Sequence, residues 1–433
     1  MLPTADAALT DRDPGLPSLR TLLDPDALRE RLAALLPAGA EPPMRVRVDL
    51  LDYLPGGPGR PARAAAVLEY ADRTRRAVLT AHPADSGLPE PPAGEARPRP
   101  APSAPGALDT GELDDPGWPG TLADPEHGLT ATAAAADPDL PALRHFTSAA
   151  GAFAPLPGGR VRTLRHEPGR RWTGRAEDAD GRPGYAVRCR AGGVNVAAHL
   201  ALAAAGVPVP DIGRVSRYGV LATRWVPGGT LADLLAAADP ASADALAAAG
   251  ALLARIHAVA PPRELPGPGP APDTAAAARA VAALLPDLAE RAAAVAGAAR
   301  AAVERADRAG DPPVLSPGAF SADRLAAGER LSPLHLERVR VTHPAEDLAE
   351  FAAGEIAAGR VPAGAPLERV LGPLLDGYLA AAPRGGTAAC RALAARTAGA
   401  LLRRAVRPFR HRDPHWPERT AELLAAAEVL SNG

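Results

Sequence analysis

The sequence predicts an α+β chain, in which sheet-forming stretches precede a long helical half. Three observations carry that expectation. Residues 44–82 alternate apolar and polar side chains in short runs closed by Gly/Pro turns, the pattern of antiparallel strands, and the stretch from Val161 repeats that hairpin form. From Thr230 onward the apolar residues fall at helical spacing instead. An octet near the start, DPGLPSLR (Asp13 to Arg20), returns as DPDLPALR (Asp137 to Arg144) with two differences.

Taken in order, residues 1–12 read as a flexible tail. Residues 13–82 read as a helix plus β-hairpin unit. Asp24 suits the N-cap and Pro25 the first helical position, and Leu28, Leu32, Leu35 and Leu36 share one face. VRVDLLDYLPG, ARAAAVLEY and RRAVLTA then give two or three strands. Residues 83–136, rich in Pro and Ala, read as a linker with little order of its own. After it the chain starts again: the octet returns, and VRTLRHEPG (Val161 to Gly169) echoes VDLLDYLPG (Val48 to Gly56). A duplicated helix–hairpin unit is therefore expected, its second copy opening a domain at 137–228. Residues 229–433 form the helical part; Leu246, Leu253 and Ile256 make one stripe, and His257 beside them reads as a packed helix residue.

Composition narrows the function classes. The chain has 433 residues, enough for a large core, and aromatics at 3% leave that core to Leu, Val and Ala. A net charge of −2 carries no footprint for nucleic acid or an anionic membrane. Cys189 and Cys390 make neither a disulfide framework nor a metal site. With no leader and no long apolar run, the chain reads as cytoplasmic. All 48 basic residues are arginine. No lysine exists to meet a phosphate as a point charge or to form a Schiff base.

The stretch Asp311 to Phe351, DPPVLSPGAFSADRLAAGERLSPLHLERVRVTHPAEDLAEF, has an apolar pair, a tight turn at Gly318, a short strand and a helix opening at Pro344. It resembles the catalytic core of the aminoglycoside phosphotransferase and choline kinase-like family, a resemblance extending over roughly residues 137–430. Gly318 and Phe320 match the family's catalytic loop, but Ala319 stands at its catalytic Asp and Pro317 at its His. Arg324 stands at the metal-binding Asn. His335, between Leu334 and Leu336, stands at the metal-binding Asp. Pro344, Asp347 and Leu348 match the helix opening.

Upstream, the resemblance puts the turn Glu167 to Arg171 over the nucleotide and Arg188 at the strand lysine. It puts Asn195 at the helix Glu, and GVLATRWVPGGTL (Gly219 to Leu231) at the hinge that meets adenine. The implied cofactor contacts are Thr223, Arg224, Trp225 and Val226 at the hinge, with Arg188 and Arg324 toward the phosphates. Two carboxylates are candidates to stand in for the missing ones: Glu337, two residues beyond His335, and Asp323, beside Arg324. The plainer reading of each is a solvated surface acid.

The resemblance implies a two-lobed protein kinase-like fold, with an antiparallel small-lobe sheet, a helical large lobe and an extra N-terminal helix–hairpin unit. Phosphoryl transfer needs carboxylates to hold magnesium and an Asp to orient the attacking hydroxyl. Alanine does neither, arginine repels a divalent cation, and histidine is a poor ligand for one that prefers oxygen. The expected function is that of a pseudokinase binding ATP or another nucleotide weakly and without magnesium. The alternatives are an active small-molecule kinase with displaced carboxylates, acting on an amine, sugar or aminoglycoside, and an interaction module without nucleotide. The partner is a small molecule or a protein, with nucleic acid and membrane excluded by charge and hydropathy.

Overall fold

The computed structural model describes residues 2–432 apart from 56–58, 87, 89–112, 114–119, 144–158, 238–240, 268, 270, 363–365 and 383–385. It divides into two compact units. One comprises residues 1–194, 211–225 and 409–414, and the other residues 195–210, 226–408 and 415–433. The first is built on antiparallel sheets and the second is mainly helical, the α+β division the sequence predicts.

In the first unit, strands β1 (Arg45–Asp52), β2 (Ala62–Glu69), β3 (Thr74–Ala81), β4 (Thr121–Asp124) and β5 (Leu129–Ala133) form one sheet in the order β1-β2-β3-β5-β4. β4 and β5 correct the expectation of a linker over 83–136. Leu122, Leu129, Ala131 and Ala133 are buried, but their small Ala/Thr neighbours give the alternation little contrast in sequence. Most of the rest of that stretch, 89–112 and 114–119, lies outside the described residues.

The expected flexible tail is also corrected. Thr4–Asp11 is a helix with Leu9 buried, and its buried Asp6 is held by Arg412 at 2.7 Å. That partner is some 400 residues away in sequence, so no local pattern announces it. The helix Pro25–Leu35 starts as its sequence dictates, with the Asp24 carboxylate accepting from the backbone N–H groups of Asp26 and Ala27.

A second sheet follows with the same strand order. β6 (Arg160–Glu167), β7 (Arg171–Glu177), β8 (Pro183–Arg190), β9 (Ile212–Val215) and β10 (Val220–Arg224) run β6-β7-β8-β10-β9. The copies agree in detail. β1 begins Arg-Val-Arg and slips register between Val48 and Leu50; β6 begins Arg-Val-Arg and slips between Thr163 and Arg165, the same step along the strand. This register moves the echo read from sequence by two residues, pairing Val48 with Thr163 rather than with Val161.

The octets fold alike as well. Leu16 N–H donates to Asp13 O and Leu19 N–H to Leu16 O; Leu140 and Leu143 repeat this on Asp137 and Leu140. All four leucines are buried. Each octet aspartate then ties to the end of its own first strand. Tyr53 donates its hydroxyl to Asp13 at 2.6 Å, while Asp137 takes buried His166 at 3.1 Å and Gly169 N–H at 2.9 Å.

In the second unit, helices Ser242–His257 and Leu367–Ala381 touch backbone to backbone. A Cβ on Gly250 would lie 1.9 Å from Leu374 O, and one on Gly377 2.0 Å from Ala247 O, so each helix needs its glycine where the other crosses. The core around them is Leu- and Ala-rich, with the Phe320 and Phe351 rings tilted against each other at 5.7 Å between centroids. Among the described residues no helix is long and apolar enough to cross a membrane.

Candidate functional site

The resembling loop is positioned by a two-stranded sheet, β12 (Val314–Ser316) against β15 (Arg340–Thr342), and by the helix Ala345–Ala357. Gly318 turns the chain at φ 74°, and a Cβ there would fall 1.9 Å from Arg338 O, so no other residue fits the turn unstrained. Beneath the loop lies a buried polar network. Ser316 Oγ accepts from Gly318 N–H at 2.9 Å and donates to Asp347 Oδ1 at 2.8 Å. Asp347 Oδ2 meets His257 Nε2 at 3.0 Å, and His257 Nδ1 meets the Tyr378 hydroxyl at 2.9 Å.

Every member of this network is below 9% exposed, and each has its partners, so the network fixes the loop instead of destabilising it. His257 is the packed helix residue the sequence suggests. Ser316 and Tyr378 were not legible as its companions. The clues are His257 beside its helical stripe and the Pro344–Leu348 helix opening, separate in sequence and joined only by the fold.

The chemical positions sit on this frame. Ala319 is half-buried at the turn, bearing only a methyl group. Asp323 and Arg324 lie in the 3-10 turn Ala322–Arg324. The Asp323 carboxylate is bonded by Ser321 Oγ at 2.5 Å. Burial pushes the Asp323 carboxyl up, but the Ser321 hydroxyl and the Arg324 and Arg404 charges outweigh it and hold the group below the usual carboxylate range.

A short hairpin, β13 (Leu325–Ala327) with β14 (Leu331–Pro333), leads from there to His335. His335 adopts the left-handed conformation, φ 61°, which polar residues such as His and Asn tolerate better than most. Its Nδ1 lies 3.1 Å from Glu337 Oε1 in the next turn, so this candidate stand-in is engaged with His335, and its buried side chain is not the solvated surface acid of the plainer reading.

The remaining candidates lie in the sheet unit, except Asn195 and Val226. Arg188 is buried on β8 and donates to the Thr223 hydroxyl on β10 at 3.0 Å. The Arg224 and Trp225 N–H groups are bonded within the sheet unit, to Asp211 O at 2.8 Å and Gly184 O at 3.0 Å. Their side chains meet cation–π partners: Arg224 over Tyr185, and Trp225 under Arg175. Val226, half-buried, begins the connection into the helical unit.

Asn195 precedes the helix Ala197–Ala204 and accepts from Ala197 N–H at 2.9 Å, so it is not the mid-helix residue the resemblance placed there. The turn Glu167 to Arg171 is clamped. Asp137 takes Gly169 N–H, Asp52 takes Arg170 at 3.2 Å, and Glu167 holds Arg165 and Arg171. The last two pairings outweigh burial and keep the Glu167 carboxyl at about 2.

Magnesium does not fit these residues. It needs near-octahedral oxygen ligands. The two family metal positions carry a guanidinium and an imidazole; of the carboxylates beside them, Asp323 already serves Ser321 among arginine charges and Glu337 meets His335. Among the described residues no group of three or more His, Cys, Asp or Glu side chains is arranged to hold a metal ion.

Residues 194–321 match the family model described as the phosphotransferase enzyme family, so the resemblance read from the motifs is borne out over the stretch from the Asn195 helix through the loop. No curated protein sequence matches the chain. Among solved structures, a choline/ethanolamine kinase family protein from Mesorhizobium loti is 17% identical, with a TM-score of 0.42 over 66% of this chain and 90% of its own. An ethanolamine kinase of Plasmodium vivax is 10% identical, with a TM-score of 0.43 over 62% and 82%. A macrolide 2'-phosphotransferase from Brachybacterium faecium is 19% identical, with a TM-score of 0.35 over 61% and 91%. Likenesses this distant add nothing to the site beyond what the residues show.

Proposed function

We propose that this phosphotransferase-family chain is a pseudokinase: it holds a nucleotide weakly, without magnesium, and transfers no phosphoryl group. One observation supports the reading above all. The buried network Ser316–Asp347–His257–Tyr378 supports the loop, while Ala319, Arg324 and His335 occupy its chemical positions. Catalysis of this kind is positioning plus electrostatic stabilisation of the transferring group. Positioning is present in the loop; the base-like carboxylate and the metal ligands are not.

The clamped Glu167 to Arg171 turn and the Arg188–Thr223 bond favour the same reading, since neither group can reach a phosphate without giving up the partners it has. The direct test incubates purified protein with ATP or GTP, magnesium and a panel of aminoglycosides, choline-like amines and sugars. No turnover above a buffer blank is expected. Magnesium-dependent turnover that disappears in Glu337→Ala would overturn the proposal and identify that carboxylate as a relocated ligand.

A further inference from the structure

Four charged side chains of the second sheet stand apart from the clamped turn and from the Arg188–Thr223 bond. β6 and β7 pair Arg160 with Glu177 and Arg162 with Arg175. Residues two apart on a strand share a face, so all four project together. Val161 and Ala176, lying between them, turn the other way into the core around Trp172 and Val187. Arg175 pairs with Ala186, which in turn pairs with Thr223, so the four share a face with the Arg188–Thr223 bond.

Three guanidinium groups close on one carboxylate. Arg160 Nε donates to Glu177 Oε2 at 2.7 Å and Arg162 Nε to the same oxygen at 3.2 Å, while Arg175 Nη2 pairs with Oε1. The Glu177 side chain is 1% exposed, whereas those of Arg160 and Arg162 are 47% and 48% exposed. Burial pushes the Glu177 carboxyl up, but the bonds from Arg160 and Arg175 and the charges of Arg175 and Arg162 outweigh it and hold the group below its ordinary value.

One guanidinium balances this carboxylate, and two more are held beside it. The next acids along the chain do not serve them. Asp178 accepts the Asp180 and Arg182 N–H groups at 3.0 and 2.8 Å, and Asp180 pairs with Arg182 at 3.0 Å. Among the described residues Arg160 and Arg162 bond only through Nε, which leaves the Nη groups of both without a hydrogen bond. Gly181 leaves room beside one of them: a Cβ there would come 3.1 Å from Arg160 Nη2.

The shared oxygen sets the spacing. Side chains that leave one strand about 7 Å apart are drawn together at their heads by a single acceptor, so their ordering precedes any ligand. Guanidinium groups bond oxyanions by charge-assisted, often bidentate, forks. A carboxylate has two oxygens, and one fork uses both; a phosphate group keeps a further oxygen for a second fork.

We propose that Arg160 and Arg162, held by Glu177 and backed by Arg175, form a binding site for a phosphate group, bonded directly through their Nη groups with no metal bridge. The phosphate belongs to a nucleotide or to a separate ester or pyrophosphate. The site uses no residue of the Gly318 loop, so it stands whether or not the chain is a pseudokinase.

The test titrates inorganic pyrophosphate, and separately ATP, into the full chain by calorimetry in a chelator at constant ionic strength, with acetate as the comparison anion. Arg160→Gln, Arg162→Gln and their double variant are run alongside Arg279→Gln, an exposed arginine of the helical unit that serves as the control. Arg175 still pairs with Glu177 in all of them, so the buried carboxylate keeps a cation. The expected result is pyrophosphate binding without metal and no binding of acetate. Each single variant should weaken pyrophosphate about tenfold, the double variant more, and the control not at all. ATP weakened in step assigns the phosphate to a nucleotide, and ATP indifferent to the variants assigns it to a separate ester or pyrophosphate. No pyrophosphate binding to the unaltered chain, acetate bound as tightly, or a double variant that binds unchanged would overturn the site. Turnover of ATP by the same preparation would sink the pseudokinase reading and leave this site standing, so the two proposals fail separately.

Discussion

The two five-stranded sheets of the first unit share strand order, the bulge in the first strand and the octet that leads into them, yet they differ in what they bury. β3 carries AVLTA (Ala77 to Ala81) with Leu79 fully buried; β8 carries AVRCR (Ala186 to Arg190) with Arg188 buried against Thr223. The octet aspartate of the first copy holds one phenol hydroxyl, while that of the second holds a buried imidazole and a turn N–H. Apolar packing and backbone register thus preserve an architecture through duplication, whereas charge placement is free to diverge. Chemistry follows the second of these.

The comparison breaks most sharply at Leu79. Leu79→Arg puts into the first sheet the residue type that the second holds, but with no partner shown to receive it. An unpaired buried charge is expected to cost more than about 4 kcal/mol in denaturant unfolding, or to leave the chain unfolded. A loss under about 1 kcal/mol would mean that the first sheet already contains a place for a cation.

Asp137→Ala comes next. It strands buried His166 and leaves the Gly169 N–H without its carboxylate, and a loss on the order of 3 kcal/mol is expected from chemical denaturation. The Asp137 carboxyl is pushed up by burial but more than offset by His166 and the Gly169 N–H, so its charged form is the stable one.

Glu167 gives the second sheet its acid sensitivity. Its carboxyl, held at about 2 by Arg171 and Arg165 against burial, lies below its unfolded value. A depressed carboxyl contributes stability that is present above the unfolded value, ~4.5, and lost as pH falls toward about 2. Unfolding followed by near-ultraviolet signal from pH 6 to 2 should show this loss, worth on the order of 2–3 kcal/mol. Glu167→Gln should flatten that limb, and an unchanged acid limb in the variant would remove the residue from the account. The smallest effect belongs to the first copy: Asp13→Ala gives up one hydroxyl bond from Tyr53, about 1 kcal/mol.

The sequence made much of this visible. The octets, the alternation of β1–β3 and the helical stripe containing Leu253 and Ile256 are local patterns, and each forms where its periodicity says. What stayed hidden depends on distant partners or on weak contrast. The helix Thr4–Asp11 is held by Arg412, and β5 is written in Leu, Thr and Ala. At the site, the changed residues Ala319, Arg324 and His335 are legible by counting from Gly318 and Asp347. The buried network is not, because His257, Ser316, Asp347 and Tyr378 reach it from four places in the chain. Counting positions finds what has been lost from a motif; only the fold shows what holds the frame in place.

The most direct measurement of the central claim, a phosphotransferase frame without metal-dependent chemistry, is calorimetric titration of ATP into the full chain in magnesium and again in a chelator. The account predicts weak binding of the same strength in both, because the positions that would seat a divalent ion carry Ala319, Arg324 and His335. ATP binding strengthened tenfold or more by magnesium would contradict it, since a divalent ion would then have found oxygen ligands at positions that carry Ala319, Arg324 and His335.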